Sequence, residues 1–237
     1  MKTSNRLLLL FLLLLSNPHA WADGSNVGKI ESPYVQQLEK ELEYELIIDD
    51  DDRESLDNQQ SHKLAFGQSL SDYWLIEFGI GGSNNPGSSF TADEYEIEAK
   101  WQLSEQGEYT NDWALMFELE KEREYNVWEI GTTLIVLHEW DRWIGTANAT
   151  IAYESGEGIR NEFEAELKAQ IKYRYKAGFE PAIEYFKNED TNALGPSVVG
   201  QIRLGGRKKL YWGAGFARSF DSSRPDTTFR ANIEFEF

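Results

Sequence analysis

Four glutamates at alternate positions, Glu39, Glu41, Glu43 and Glu45, put carboxylates in a row within one short stretch. On a strand alternate residues share a face, so neighbours stand about 6.6–7 Å apart. At helical spacing the same charges would scatter around the axis. Glu94, Glu96 and Glu98, followed by Lys100, repeat the arrangement. Such ladders can attract cations along a water-filled path, or close a wall by pairing with Lys and Arg. Fewer basic residues fall on the corresponding faces, among them Lys168, Lys172, Arg174 and Arg230. A dry interior would need nearly every carboxylate paired or protonated. The excess therefore implies that part of the enclosed space holds water.

Other chemistries have weaker support. Acyl transfer needs an activated nucleophile, usually Ser beside His. Past residue 22 the histidines are His62 and His138, expected at opposite rims and without a G-x-S-x-G setting. No enzymatic role is expected, and no organic cofactor is implied. The run Asp49–Asp52 lacks the alternating ligands and Gly of a calcium loop, so it reads as a solvated acidic loop, and no metal site is assigned. Cysteine is absent, which removes disulfides and thiolate metal sites. The formal charge of −18 excludes nucleic acid as a natural partner, since phosphate binding needs a basic face.

The elements that must carry the ladders have a period of two. Thr227 to Phe237 alternates strictly: Phe229, Ala231, Ile233, Phe235 and Phe237 against Arg230, Asn232, Glu234 and Glu236. The same pattern runs through strands near Val35–Ile48, Thr91–Leu103 and Arg160–Tyr175. Twelve strands are predicted over 35–237, with ten as the rival count because the segments from Phe179 to Ala217 are weak. Pro181 cannot donate a ladder bond, and Asn188 to Pro196 reads as a loop. Connections after strands 1, 3, 7, 9 and 11 are mostly longer than those after strands 2, 6, 8 and 10. The stretch between strands 4 and 5 is the exception. Past Leu15 no apolar run is long enough for a spanning helix, so membrane insertion would have to use strands. Aromatic content of 14% suits interfacial girdles. A soluble barrel with the apolar face inward would have to enclose Trp74, Phe78, Trp101, Trp113, Phe117, Trp128, Trp143 and Tyr173, too much bulk for a small interior.

At the other end of the chain, Lys2 and Arg6 precede the apolar run Leu7–Leu15 and the A-x-A site Ala20-Trp21-Ala22. That is the layout of a secretory signal peptide over 1–22. Residues 23–34 then read as a short periplasmic segment.

The closing strand, with Phe235 and the final Phe237, resembles the C-terminal strand of Gram-negative outer-membrane β-barrels, where it is the insertion signal. The tight turns Ser71-Asp72-Tyr73-Trp74 and Trp140-Asp141-Arg142-Trp143 are similar to the D-R-W turns of small barrels of that kind, loosely described as transporters. The resemblance implies an outer-membrane location, lipid contact, small solutes as partners, and handling by the barrel-assembly machinery through the last strand. The expectation is thus an all-β, up-and-down antiparallel transmembrane barrel that passes small cationic or neutral solutes through an acidic lumen. Its alternatives are a non-conducting structural or assembly barrel with a salt-bridged interior, and an outer-membrane lipid-modifying enzyme.

Overall fold

The computed structural model describes residues 27–51, 58–84, 89–123, 126–157, 159–220 and 225–237. Twelve strands follow in order: β1 (Lys40–Asp50), β2 (Gln59–Ser69), β3 (Trp74–Asn84), β4 (Thr91–Gln102), β5 (Asn111–Glu122), β6 (Val127–Trp140), β7 (Trp143–Gly156), β8 (Glu162–Tyr173), β9 (Glu180–Lys187), β10 (Asn192–Gly205), β11 (Lys208–Ser219) and β12 (Thr227–Glu236). Each pairs with its sequence neighbours, and β12 returns to β1 to close the barrel. The seam is antiparallel and in continuous register, with Glu41 opposite Glu236 and Ile48 opposite Phe229. The Phe237 N–H extends it by donating to the Lys40 carbonyl at 2.9 Å. The rival ten-strand count fails because β9, β10 and β11 are separate strands.

The pleat sorts the residues as the period of two requires. Phe78, Ile130 and Ile183 face outward with 57%, 59% and 57% exposure, whereas the intervening Glu77 and Glu184 point inward and are buried. An outward apolar band of this kind suits lipid, and it rules out the inward-facing soluble alternative. An eleven-residue strand is about 36 Å long and, tilted by about 40°, spans about 28 Å, close to the apolar band of a bilayer. Aromatic pairs mark both edges. Trp74 stacks on Trp101 and Trp143 leans on Tyr173 at one end, while Tyr153 meets Phe163 towards the other.

The connections 70–73, 103–110, 141–142, 174–179 and 206–207 share one end, here the turn end, with the start of β1 and the finish of β12. The opposite, loop end carries the remaining six. Two boundaries differ from expectation. β10 begins at Asn192, so most of the predicted 188–196 loop is ladder; Pro196 is accommodated because the β10–β11 pairing skips Gly195 and Pro196. β1 runs through Asp50, and Asp49 is buried, accepting a bond from the Thr228 hydroxyl at 2.6 Å, so it is a strand residue and not part of a solvated loop. The signal peptide, with Ala20 and Ala22, lies outside the described residues.

The residues just before β1 occupy the interior. The stretch read from sequence as a periplasmic lead-in runs inside the barrel from Val27 near the loop end to Val35 near the turn end. Val27 is buried against Phe186, Ala193 and Ala217. The Val35 N–H donates to the Gln102 side-chain oxygen at 2.6 Å. Val35 and the residues after it, expected in the first strand, belong to this strap and its reversal. Leu38 takes a left-handed φ of 60° in that reversal, and the Gln36 N–H donates to the Glu39 carboxylate. A non-glycine residue there carries local strain, which the surrounding bonds must hold.

Candidate functional site

The lumen is the site, and its wall is acidic because one face of β1, β4 and β5 presents glutamate at alternate positions and β3 adds Glu77. Glu41, Glu43, Glu77 and Glu96 are each at least nine-tenths buried. Gly67 makes room on β2: a Cβ there would stand 2.5 Å from the Glu41 carboxylate. Lys63, reaching in from β2, pairs with Glu96 and Glu98, the latter at 3.0 Å, and lies 4.0 Å from Glu77. Lys168 stands 3.3 Å from Glu166, and Lys172 stands 3.1 Å from Glu180. Glu45 keeps one carboxylate oxygen buried with no hydrogen-bond partner among the described residues.

On the opposite wall Arg230 and Glu184 form a fork from β12 to β9, with one bond of 3.1 Å from Nε and a second, shorter one from Nη2. Both side chains are 3% exposed. Asn232 accepts from the same guanidinium at 3.3 Å. Gly213 on the intervening β11 admits Asn232, whose side-chain oxygen would meet a Cβ there at 2.5 Å.

The strap crosses between these walls and is gripped by side chains from five strands. The Lys29 ammonium donates to Glu43 on β1 at 2.5 Å and to Glu234 on β12 at 2.8 Å. It also lies 3.1 Å from Glu31 of the strap itself. Lys100 on β4 bonds the Glu31 carboxylate. Asn148 on β7 makes a two-way bond to the strap backbone: its oxygen accepts from the Glu31 N–H at 2.7 Å, and its amide donates to the Glu31 carbonyl at 3.0 Å. Lower down, the Tyr34 hydroxyl donates to Asp112 at 2.6 Å. Burial and that bond push the Tyr34 hydroxyl well above its usual pKa. At least eight wall and strap groups thus satisfy one another through charge and hydrogen bonds, while Val27 and Ile30 pack against an apolar cluster near the loop end.

Of the residues singled out by sequence, Glu41, Glu43, Glu45, Glu94, Glu96, Glu98, Lys168 and Arg230 line the interior. Glu39 sits at the turn end, within 4.8 Å of Glu41 and Glu234 between carboxylate oxygens. Arg174 is at the turn-end rim, 2.5 Å from Glu139. Phe235 and Phe237 stack at 5.4 Å beside the seam. His62 bonds Tyr44 near the loop end, and His138 bonds Thr110 and Asn111 at the turn end. Sequence reasoning missed Lys29, Glu31 and Asn148. The one available signal was that Lys29 and Glu31 alternate in a stretch otherwise rich in Gly, Ser and Pro.

Two further carboxylate triplets have the spacing to hold a cation. Glu96, Glu98 and Glu118 surround the position that Lys63 already neutralises, and Glu154, Glu162 and Glu164 gather near the loop end. A pocket of about 20 Å³ beside the latter is lined by Glu129, Thr150, Glu164, Glu166 and Glu189. That is room for about one water molecule.

No protein-family model matches the chain, and no curated relative matches it by sequence. Solved structures do match in fold. The porin KdgM, solved with disordered oligogalacturonate, aligns at TM-score 0.56 and 12% identity over 83% of this chain and 99% of its own. The porin NanC aligns at 0.55 and 8% over 83% and 98%. The COG4313 outer-membrane channel of Pseudomonas putida F1 aligns at 0.55 and 12% over 91% and 99%. The chain is therefore a closed twelve-stranded antiparallel barrel of the kind seen in porins.

Proposed function

We propose that this barrel is an outer-membrane channel for small cationic or neutral solutes, with Glu41, Glu43, Glu96 and Glu98 setting its preference. The observation that carries the reading is the unbalanced acidic wall around the strap. Carboxylates outnumber the lysines and arginines that reach them, and Lys29, which neutralises Glu43 and Glu234, belongs to the strap and not to the wall. When the strap moves, Glu43 and Glu234 lose a cation and Lys100 loses an anion, so the wall keeps its excess of carboxylates, which favours cations and repels anions. The acidic oligosaccharide named with KdgM would be repelled by such a wall. The outward apolar band and the two aromatic edges fit an outer-membrane setting. Export by a leader over 1–22 and insertion through Phe235 and Phe237 belong to the same reading.

Single-channel recording of the refolded protein in a planar bilayer, under a salt gradient, tests it. Discrete steps with a cation-selective reversal potential are expected. Glu41→Gln, Glu43→Gln, Glu96→Gln and Glu98→Gln together should move that potential towards zero, and an unchanged potential would remove these residues from selectivity. A second reading, a non-conducting structural barrel, is favoured by the strap itself, which joins with the wall ion pairs to fill the centre of the lumen. A folded protein that stays silent under all voltages would support it.

A further inference from the structure

The strap is held in a way that a separate molecule could imitate. Lys29-Ile30-Glu31 is an extended tripeptide whose contacts fall into three kinds. Its cationic side chain lies between Glu43 and Glu234, its anionic side chain is met by Lys100, and its backbone is read by Asn148 in the two-bond manner of a neighbouring strand. The backbone contact is blind to side-chain identity, and the two charged contacts demand only opposite signs two residues apart. Asn148 is 3% exposed, so its amide is aimed into the lumen with no water-facing alternative. Lys100 and Glu43 side chains are 11% and 9% exposed. A buried charge that loses its partner is strongly disfavoured. The wall therefore favours a replacement of the same chemistry whenever the strap withdraws.

We propose that Glu43, Glu234, Lys100 and Asn148 form a binding site for short extended peptides with a basic residue two positions before an acidic one, and that the strap is its built-in occupant. The inference deepens the channel reading by naming a solute class, and it rests on that reading only for the route by which a peptide arrives. Release of the strap and entry of the peptide exchange like for like: one ammonium for another between the two glutamates, one carboxylate for another at Lys100.

The probe is the acetylated, amidated tripeptide Lys-Ile-Glu carrying a fluorophore, titrated in detergent and read by anisotropy. Against the full chain with Lys29→Ala and Glu31→Ala, saturable binding is expected at least about tenfold tighter than to the unmodified chain. Asn148→Ala or Lys100→Met on that background should abolish the gain, and the reversed tripeptide Glu-Ile-Lys should bind worse. Equal weak binding to all forms, or indifference to Asn148 and to peptide direction, overturns the proposal. If the doubly substituted chain does not give the heat-modifiable band of a folded barrel, the unmodified chain supplies the test. Excess Lys-Ile-Glu should then speed hydrogen exchange at the Glu31 amide, and no change would count against the site. The two readings separate cleanly. Peptide binding by a barrel silent in bilayers keeps the site and removes the channel, while conduction that the peptide does not block does the reverse.

Discussion

The two walls of the lumen solve the same electrostatic problem in different ways. On the β9–β12 side, Arg230 and Glu184 are both wall residues, forked together at 3% exposure and propped by Asn232. At the β1–β12 seam, the cation that neutralises Glu43 of β1 and Glu234 of β12 arrives on the strap. A pair built within the wall cannot separate without deforming the barrel. A pair whose partner sits on a connecting segment can separate with the barrel intact. Stability should therefore concentrate on one side and response on the other.

The comparison can be broken most forcefully at Arg230. Arg230→Ala leaves Glu184 buried and uncompensated, so unfolding in urea should shift by about 3–5 kcal/mol. Replacing both partners, Arg230→Met with Glu184→Gln, should recover most of that loss. If Arg230→Ala costs no more than an exposed pair would, the fork is not structural.

On the strap side, Lys29→Met should change conductance more than stability. The expected result is at least about a twofold rise in open-channel current in bilayers, since charges within a Debye length act on the path directly. An unchanged current with a lowered urea midpoint would make the strap a structural element like the opposite wall.

Asn148→Ala removes two hydrogen bonds, worth about 1–3 kcal/mol together, all of it from strap docking. Hydrogen exchange at the Glu31 amide should accelerate accordingly while the β7 amides beside it stay protected. Equal acceleration in strap and strand would show that they open as one unit. Smallest of all, Tyr34→Phe removes the bond to Asp112 and should loosen the turn-end anchor by about 0.5–1.5 kcal/mol, seen by the same exchange at Val35.

The barrel was legible in the sequence because its code is local. Along Tyr95, Ile97 and Ala99 the lipid side reads apolar, and along Glu94, Glu96 and Glu98 the lumen side reads acidic, whatever lies across the lumen. Boundaries failed where local chemistry misled. Gly195 and Pro196 look like loop residues, yet β10 tolerates them by leaving the two outside its ladder with β11. Asp49 looks like a solvated charge, yet Thr228 across the seam buries it. The strap was illegible for a different reason. Lys29, Glu31 and Asn148 meet only after closure brings β1, β4, β7 and β12 around them, and no periodicity within 27–39 encodes that meeting. Arg230 was placed on the inner face by alternation, but its partner three strands away followed only from the small residues between.

The strap also bears on the order of assembly. It continues directly into β1, and β1 is one side of the seam that closes the barrel against β12. A segment fixed to a seam strand and lying inside the finished cylinder has two histories open to it: laid on the open sheet before the last ladder forms, or drawn in past the turn end afterwards. The first history fits the contacts, because Glu234 of the closing strand and Glu43 of the opening strand clasp the same ammonium. In that order Lys29 acts as a latch across the two margins, drawing β12 towards β1 while their backbone bonds are still unmade.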